Sequence, residues 1–374
     1  MRFPVFILSL CFAAVAHAQV LPQAPTVAAK SWLLLDYATG QALAGYNPDE
    51  RVEPASLTKL MTAYLVFTAL KQKTLLPEQA VPISERAWKT QGSRMFVEPK
   101  RPVSVDELLR GVIVQSGNDA CVALAEAVAG SEEGFVQMMN REAQRLGLKS
   151  TRFANATGLS DAQHYSTARD LGALAAALIR DFPEYYPLYS IREYSYNKIT
   201  QPNRNRLLWL DPNVDGVKTG HTENAGYCLI ASAKRGSRRL VSVVMGTASD
   251  AMRAQESQKL LNFGFQFFDA VRLYEKSQAV SRLKVWKGTE NLVGAGFLED
   301  FTLSLPKGMA GKVKASLESR QPLMAPVQAG QRIATLKLTL DDKPYGEYPV
   351  VALEAVPVAG MFGRAWDTMR LWFE

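Results

Sequence analysis

Pro54-Ala55-Ser56-Leu57-Thr58-Lys59 runs straight into Leu60-Met61-Thr62-Ala63-Tyr64-Leu65-Val66-Phe67-Thr68-Ala69-Leu70. The second part is apolar almost all round, the pattern of a helix buried on every side. Pro54 suits the entry to that helix. Positions i and i+3 share a helix face, so the Lys59 amine can reach the Ser56 hydroxyl. A serine hydroxyl is a poor nucleophile without a base in hydrogen-bond reach. A helix N-terminus adds positive potential and N–H groups for a forming oxyanion. Ser-x-x-Lys fixes only two residues, so its meaning depends on what surrounds it.

Working outward, Ser31–Asp36 and Gln41–Tyr46 flank an Ala38-Thr39-Gly40 turn and read as a hairpin. Residues 71–103 are polar, with scattered Pro and Gly, and read as surface loops. Val105–Val114 reads as helix and ends at Gln115-Ser116-Gly117-Asn118. An alanine-rich helix follows to Ala129 and stops at Gly130. Ser131 caps a third helix to about Leu146, and Thr167 a fourth to about Arg180. Tyr194–Ile199 reads as one strand. Gly216-Val217-Lys218-Thr219-Gly220 precedes two strong strands, Tyr227–Ala233 and Leu240–Gly246, and a long helix from Ala251 to Phe268.

Ser56-x-x-Lys59, Ser116-Gly117-Asn118 and Lys218-Thr219-Gly220 together resemble the motif set of β-lactamases and penicillin-binding proteins. The chemistry needs each residue type. Ser56 attacks a carbonyl and forms an acyl-enzyme while Lys59 takes its proton. Lys59 must then be neutral near pH 7, roughly three units below its free value. Burial and a second cation, Lys218, both push that way. Ser116 can relay a proton toward the leaving amine. Asn118 offers an amide to Lys59 and to the substrate backbone. Thr219 presents a hydroxyl to a terminal carboxylate. Gly220 leaves a sheet edge bare for an extended peptide. The N–H groups of Ser56 and His221 are the expected oxyanion donors.

The longer strings Pro54–Lys59, Gln115–Cys121 and Asp215–Thr222 are similar to low-molecular-mass penicillin-binding proteins of the 5/6 type, the serine D-alanyl-D-alanine carboxypeptidases. The likeness spans essentially the whole mature chain. It implies an α/β (α+β) penicillin-recognising domain, with an antiparallel sheet flanked by helices, followed by a small all-β domain and an amphipathic tail. It implies removal of the terminal D-alanine from peptidoglycan pentapeptide stems and acylation by β-lactam antibiotics. It assigns Arg253 to the substrate carboxylate and Arg204 to the cleft. No cofactor and no metal are implied, and a homodimer stays open.

Rival readings remain. A class A β-lactamase would use a Glu-x-x-x-Asn loop, and none lies between Ser116 and Lys218. A D,D-endopeptidase or transpeptidase on the same fold shares every motif. A non-catalytic peptide binder would not need the full catalytic set.

The rest of the chain bounds these readings. Arg2, the apolar run Phe3–Val15 and Ala16-His17-Ala18 form a secretory signal over residues 1–18. The 374 residues carry a formal net charge of +7, or +6 without Arg2. The basic residues are dispersed and lack aromatic interleaving, which fits an anionic polymer or membrane surface and not a nucleic acid. Only His164 and His221 would remain after cleavage, too few for a histidine-rich metal site. Cys121 and Cys228 are open to a disulfide in an oxidising compartment. Their places on a helix and a strand favour two buried thiols.

After about Val271 the helical period gives way to short alternating runs such as Ala334–Leu340. The expected division is 27–271 catalytic, 272–357 all-β and 358–374 tail. Pro357–Gly360 reads as a hinge. Beyond it Phe362, Ala365, Trp366, Met369, Trp372 and Phe373 share a helical face. That segment is too short to span a bilayer. It suits an interfacial helix on the outer face of the inner membrane, at the periplasmic side.

Overall fold

The computed structural model describes residues 22–370. The expected leader, residues 1–18, lies outside them, as do Trp372 and Phe373 and the side chains of Phe362 and Ala365.

Five strands form one antiparallel sheet. They are β1 (Ser31–Asp36), β2 (Ala42–Tyr46), β3 (Val214–Thr222), β4 (Gly226–Arg235) and β5 (Arg238–Thr247), in the order β2-β1-β5-β4-β3. The sheet is covered on both faces, so its central strands are apolar almost without alternation. Leu33, Leu35, Ile230, Val241 and Val243 pack toward α1 (Lys59–Lys71), α2 (Asn118–Ala129), α3 (Glu132–Arg145) and α4 (Ala168–Asp181). Trp32, Leu34, Leu229, Leu240 and Val244 face the other way, onto Leu260, Leu261 and Phe263 of α5 (Asp250–Phe267). The α1 helix is buried on nearly every side, as its sequence requires. Ser131 and Thr167 cap α3 and α4 through their side chains, and Gly130 ends α2 in the left-handed region.

Local readings differ in three places. Residues 71–103 are not all loop: they hold a short helix, Glu85–Lys89, and Ala80–Val81 pairs with Val103–Ser104. The single strand expected at Tyr194–Ile199 is a hairpin, Glu193–Tyr196 with Ile199–Pro202, turned by Asn197 and Lys198 at positive φ. The helix from Val105 narrows to Val105–Arg110 and continues as a π turn, Gly111–Gln115.

The C-terminal part is a β domain with its own core. Eight strands, β6 (Phe268–Tyr274), β7 (Ala279–Trp286), β8 (Leu292–Gly296), β9 (Phe301–Pro306), β10 (Val313–Ser319), β11 (Leu323–Met324), β12 (Arg332–Leu340) and β13 (Lys343–Ala352), enclose Val293, Leu305, Leu336, Leu338 and Val350. Arg238 joins the two parts: its guanidinium pairs with buried Asp36 at 2.9 Å and donates to the carbonyls of Gly264 and Phe268. The last helix is α6 (Met361–Arg370). The segment before it is no free hinge. Thr289 N–H donates to Pro357 O, Val358 bridges to Gly288, and Ala359 N–H donates to Lys287 O.

Candidate active site

A cleft of about 700 Å³ opens where α1, the end of the π turn and the edge strand β3 meet. Ser56, Ser116, Asn118, Thr219, Gly220, His221, Arg204 and Arg253 all line it. Ser56 sits in a single 3-10 turn, Ala55–Thr58, that feeds α1. Lys59 and Lys218 lie buried beneath it.

Lys59 Nζ lies 2.9 Å from Ser56 Oγ, 2.7 Å from Asn118 Oδ1 and 2.6 Å from the Thr157 carbonyl. An ammonium would spend all three N–H bonds on these partners. A neutral amine would give its two N–H bonds to the two carbonyls and aim its lone pair at Ser56. The same three contacts thus serve both protonation states, and only the bond to Ser56 reverses. Burial pushes Lys59 down to about 8, with Arg204 adding to the shift.

Lys218 Nζ donates to Ser116 Oγ at 2.9 Å and to the Thr219 carbonyl at 3.0 Å. Burial drives its pKa well below the ordinary lysine value, and the charges of Lys59, Arg204 and Arg253 lower it further. From the sequence Lys218 is the expected cation. In the structure burial lowers both amines, so the pair shares its charge in one water-excluded place. The base form of Lys59 is then a minority at pH 7 that grows toward pH 8. Protons shared this closely titrate as a property of the pair.

Ser116 holds a left-handed conformation, φ +60 and ψ 33, at the end of the π turn. A non-glycine residue there is strained and must be held from outside. The holder is the loop after the short helix Glu85–Lys89. Met95 packs so closely that a Cβ on Gly111 would stand 2.2 Å from its sulfur, and one on Gly117 2.9 Å from its N. The buried Asp119 carboxylate fixes that loop by accepting from the N–H groups of Met95 (2.8 Å), Phe96 (2.8 Å) and Val97 (3.2 Å). Asn118 Nδ2 donates to Gln91 O at 2.6 Å, which leaves one of its N–H bonds for the cleft.

Gly220 is bare for a reason the sequence does not show. A Cβ there would stand 3.1 Å from Pro54 O and 3.2 Å from Ser56 N, so the glycine lets β3 close onto the nucleophile's turn. Because β3 is also the sheet's edge, its outer backbone groups border the cleft. The exposed His221 ring packs on Tyr227, with centroids 4.0 Å apart. Arg253, on α5, donates to Gly220 O at 3.1 Å and pairs with Asp250. Asp250 also pairs with Arg206.

Several groups escape sequence reasoning: Thr157 through its carbonyl, Asp119, Tyr227, Asp250, and His164, whose Nε2 lies 2.8 Å from Thr58 Oγ1. Gly158 is another. It has φ +87, and a Cβ would come within 1.8 Å of Ala55 O. Cys121 and Cys228 are free and buried. Among the described residues no cluster of His, Cys, Asp or Glu could hold a metal ion.

The two-part fold, with its Ser–Lys pair and Lys-Thr-Gly edge strand around one cleft, defines a penicillin-recognising serine hydrolase. The chain belongs to the D-alanyl-D-alanine carboxypeptidase family, peptidase S11, which matches residues 18–249. The C-terminal domain of penicillin-binding protein 5 matches residues 268–358. The D-alanyl-D-alanine carboxypeptidase DacC of Escherichia coli is 45% identical over 94% of this chain and 90% of its own length. Penicillin-binding protein 5 of Haemophilus influenzae superposes with a TM-score of 0.84 at 43% identity, over 90% of this chain and 99% of that one. Penicillin-binding protein D2 of Listeria monocytogenes, solved in its ampicillin-bound form, has a TM-score of 0.60 at 31% identity, over 65% of this chain and 100% of that one. The activity is that of a serine-type D-alanyl-D-alanine carboxypeptidase.

Proposed function

We propose that this chain trims the terminal D-alanine from peptidoglycan pentapeptide stems through an acyl-enzyme on Ser56. Lys59 removes the Ser56 proton as Oγ bonds to the carbonyl carbon of the penultimate D-alanine. The N–H groups of Ser56 and His221 hold the oxyanion. The C–N bond then breaks, and a proton passing by way of Ser116 and the lysine pair leaves on the amine of the released D-alanine. Water attacks the ester in the reverse sense and frees Ser56. Thr219 and Arg253 receive the terminal carboxylate, and Arg204 lines the same end of the cleft. The observation that carries this reading is the Lys59 amine, 2.9 Å from Ser56 Oγ and shifted to about 8. A β-lactam presents the same acyl and carboxylate groups to the cleft, and the ampicillin-bound Listeria relative supports acylation by it.

In the same reading residues 1–18 export the chain to the periplasm, and the catalytic part, expected over 27–271, gives way to the β part at the start of β6, at Phe268. The α6 helix rests on the outer face of the inner membrane. Among the described residues no helix is long and apolar enough to cross a membrane. The burial of α6 is inverted for a soluble helix: Met361, Trp366 and Met369 are 75%, 57% and 52% exposed, while Asp367 is 9% exposed. The Asp367 carboxylate accepts the Lys287 N–H at 2.6 Å and faces the protein, while Arg364, Thr368 and Arg370 stay exposed beside the apolar residues. An apolar row turned outward is the arrangement an interfacial helix needs.

The test is a pentapeptide ending in D-Ala-D-Ala, with release of D-alanine measured beside labelling by a fluorescent penicillin. One D-alanine per stem, and a label that maps to Ser56 and vanishes in Ser56→Ala, are expected. Release or labelling retained in Ser56→Ala would refute the mechanism.

A further inference from the structure

Lys59 depends on a carbonyl that no motif contains, and that carbonyl is aimed by a side chain outside the cleft. Residues 153–159 form a strap beneath the Ser56 turn. Ala156 pins the strap to the core: its N–H donates to Glu132 Oε1 at 3.0 Å, and its carbonyl accepts from Thr62 Oγ1 at 2.7 Å and Cys121 Sγ at 2.9 Å. Past Ala156 the chain must turn sharply to point the Thr157 carbonyl at Lys59. That turn is built on Asn155. Its Oδ1 accepts from the N–H groups of Thr157 (3.1 Å), Gly158 (2.7 Å) and Leu159 (3.2 Å), and from Thr157 Oγ1 (2.9 Å). Its Nδ2 donates to the Leu159 carbonyl at 2.9 Å. An asparagine amide can replace the backbone carbonyl of an ordinary turn in this way. Here it gathers three successive N–H groups, and the peptide between Thr157 and Gly158 is left with its carbonyl facing Lys59 Nζ at 2.6 Å.

We propose that Asn155 is a positioning residue for the general base, acting through the Thr157 carbonyl; this rests on the assignment of Lys59 as the base. The neutral amine has two N–H bonds, and two carbonyls, Asn118 Oδ1 and Thr157 O, take both. With both in place the lone pair has one direction left, toward Ser56. With one lost, the amine turns about its Cε–Nζ bond and the lone pair no longer has a fixed aim. The carbonyl at 2.6 Å also favours the ammonium, so its loss lowers the pH at which Lys59 titrates. Asn155 touches neither Ser56 nor Lys59 and acts on the acylation step through the Thr157 carbonyl; Thr157, Gly158 and Leu159 also line the cleft, so binding and acylation are measured separately.

The experiment separates the dissociation constant for a β-lactam from the first-order acylation constant, by rapid-quench labelling from pH 6 to pH 9.5. Asn155→Ala should acylate about 10- to 100-fold more slowly at the high-pH plateau, part of the roughly 10²- to 10⁴-fold a general base supplies. Its dissociation constant should stay within about threefold, and its midpoint should move to lower pH. Asn155→Asp keeps an acceptor oxygen for the three N–H groups and adds a charge that favours the ammonium. It should recover the plateau to within about fivefold of wild type, with the midpoint moved to higher pH. A folded Asn155→Ala that acylates at the wild-type plateau rate overturns the proposal. So does an Asn155→Asp that recovers nothing, which would mark a merely structural role; this variant decides the matter if the alanine form does not fold. Lys59→Arg keeps the two failures apart. If it acylates normally, the base assignment falls. If it is dead while Asn155→Ala is normal, only the role of Asn155 falls.

Discussion

Acylation should switch on with pH along the titration of one buried lysine. Lys59 is displaced from 10.5 to about 8. At pH 7 a group at 8 is neutral in roughly 9% of molecules, whereas one at 10.5 is neutral in about 0.03%. Burial therefore raises the supply of free base about 300-fold at pH 7, equivalent to about 3 kcal/mol. A further tenfold is withheld until the pH passes 8. The sign follows from which form reacts: the amine is the base, so the rate falls as acid protonates it. The second-order acylation constant, followed by fluorescent-penicillin labelling with rapid quench, should rise about tenfold between pH 6 and pH 7, bend near pH 8 and level off above about pH 9. The midpoint belongs to Lys59 and Lys218 jointly, because the Lys59 charge lowers Lys218 and two amines buried this closely titrate as a pair. Lys59→Arg keeps a cation but has no lone pair at any of these pH values, so it should lose the plateau by orders of magnitude. A rate that is flat from pH 6 to pH 9, or a bend near the ordinary lysine value, would refute the reasoning.

Burial also lowers His164 to about 4, and its Nδ1 accepts from Ala154 N–H while Nε2 donates to Thr58. The folded state resists the proton that the unfolded chain takes up near 6.5, so stability is lost as pH falls from about 6.5 toward 4. The loss is about 2 kcal/mol between pH 7 and pH 4.5. Urea midpoints of His164→Gln should lack that increment; an equal acid loss in both proteins would argue against it. Arg253→Ala should slow hydrolysis of a D-Ala-D-Ala peptide far more than reaction with a thioester that has no terminal carboxylate, since an arginine–carboxylate pair contributes roughly 1.5–3 kcal/mol. Equal losses would count against the assignment. Deleting residues 360–374 should release the protein from membranes into the soluble periplasmic fraction with penicillin labelling intact. A truncated form that stays with membranes, or no longer folds, sinks the anchor.

What could be read in advance was set by chemistry that tolerates few residue types. Ser56, Lys59, Ser116, Asn118 and Lys218 stand far apart in sequence, and the structure gathers them around one cleft. The doubly covered sheet was legible in the apolar runs of β1, β4 and β5, and the β domain in alternation such as Ala334–Leu340. The strap at 153–159 was not legible, because a turn built on one asparagine side chain has no period. The π turn and the left-handed Ser116 were not, because Met95 and Asp119 impose them from segments whose approach no local pattern records. The hairpin at Glu193–Pro202 looked like one strand because Asn197-Lys198 is a weak turn signal without glycine.

These omissions have a common physical origin. A serine with a buried lysine base is an unfavourable arrangement for a protein interior. It desolvates two amines and strains Ser116. Such a site persists only where the surroundings over-determine it. Here polar side chains do so, Asp119 and Asn155 by bonding backbone N–H groups and Glu53 by bonding other side chains. Asp119 fixes residues 95–97, Asn155 fixes 157–159, and Glu53 accepts from Ser160 (2.8 Å), Thr222 (3.1 Å) and Asn224 (3.0 Å) to tie the strap to the end of β3. The Asp119 and Asn155 bonds spend a polar side chain on backbone N–H groups that helix and sheet leave unpaired. The offsetting stability comes from α1, whose Leu60, Met61, Tyr64, Val66 and Phe67 are buried one turn beyond the nucleophile. The catalytic turn carries Ala55 at φ +47 at one end and runs into the packed α1 at the other, so motion at Ser56 is opposed by the core around α1.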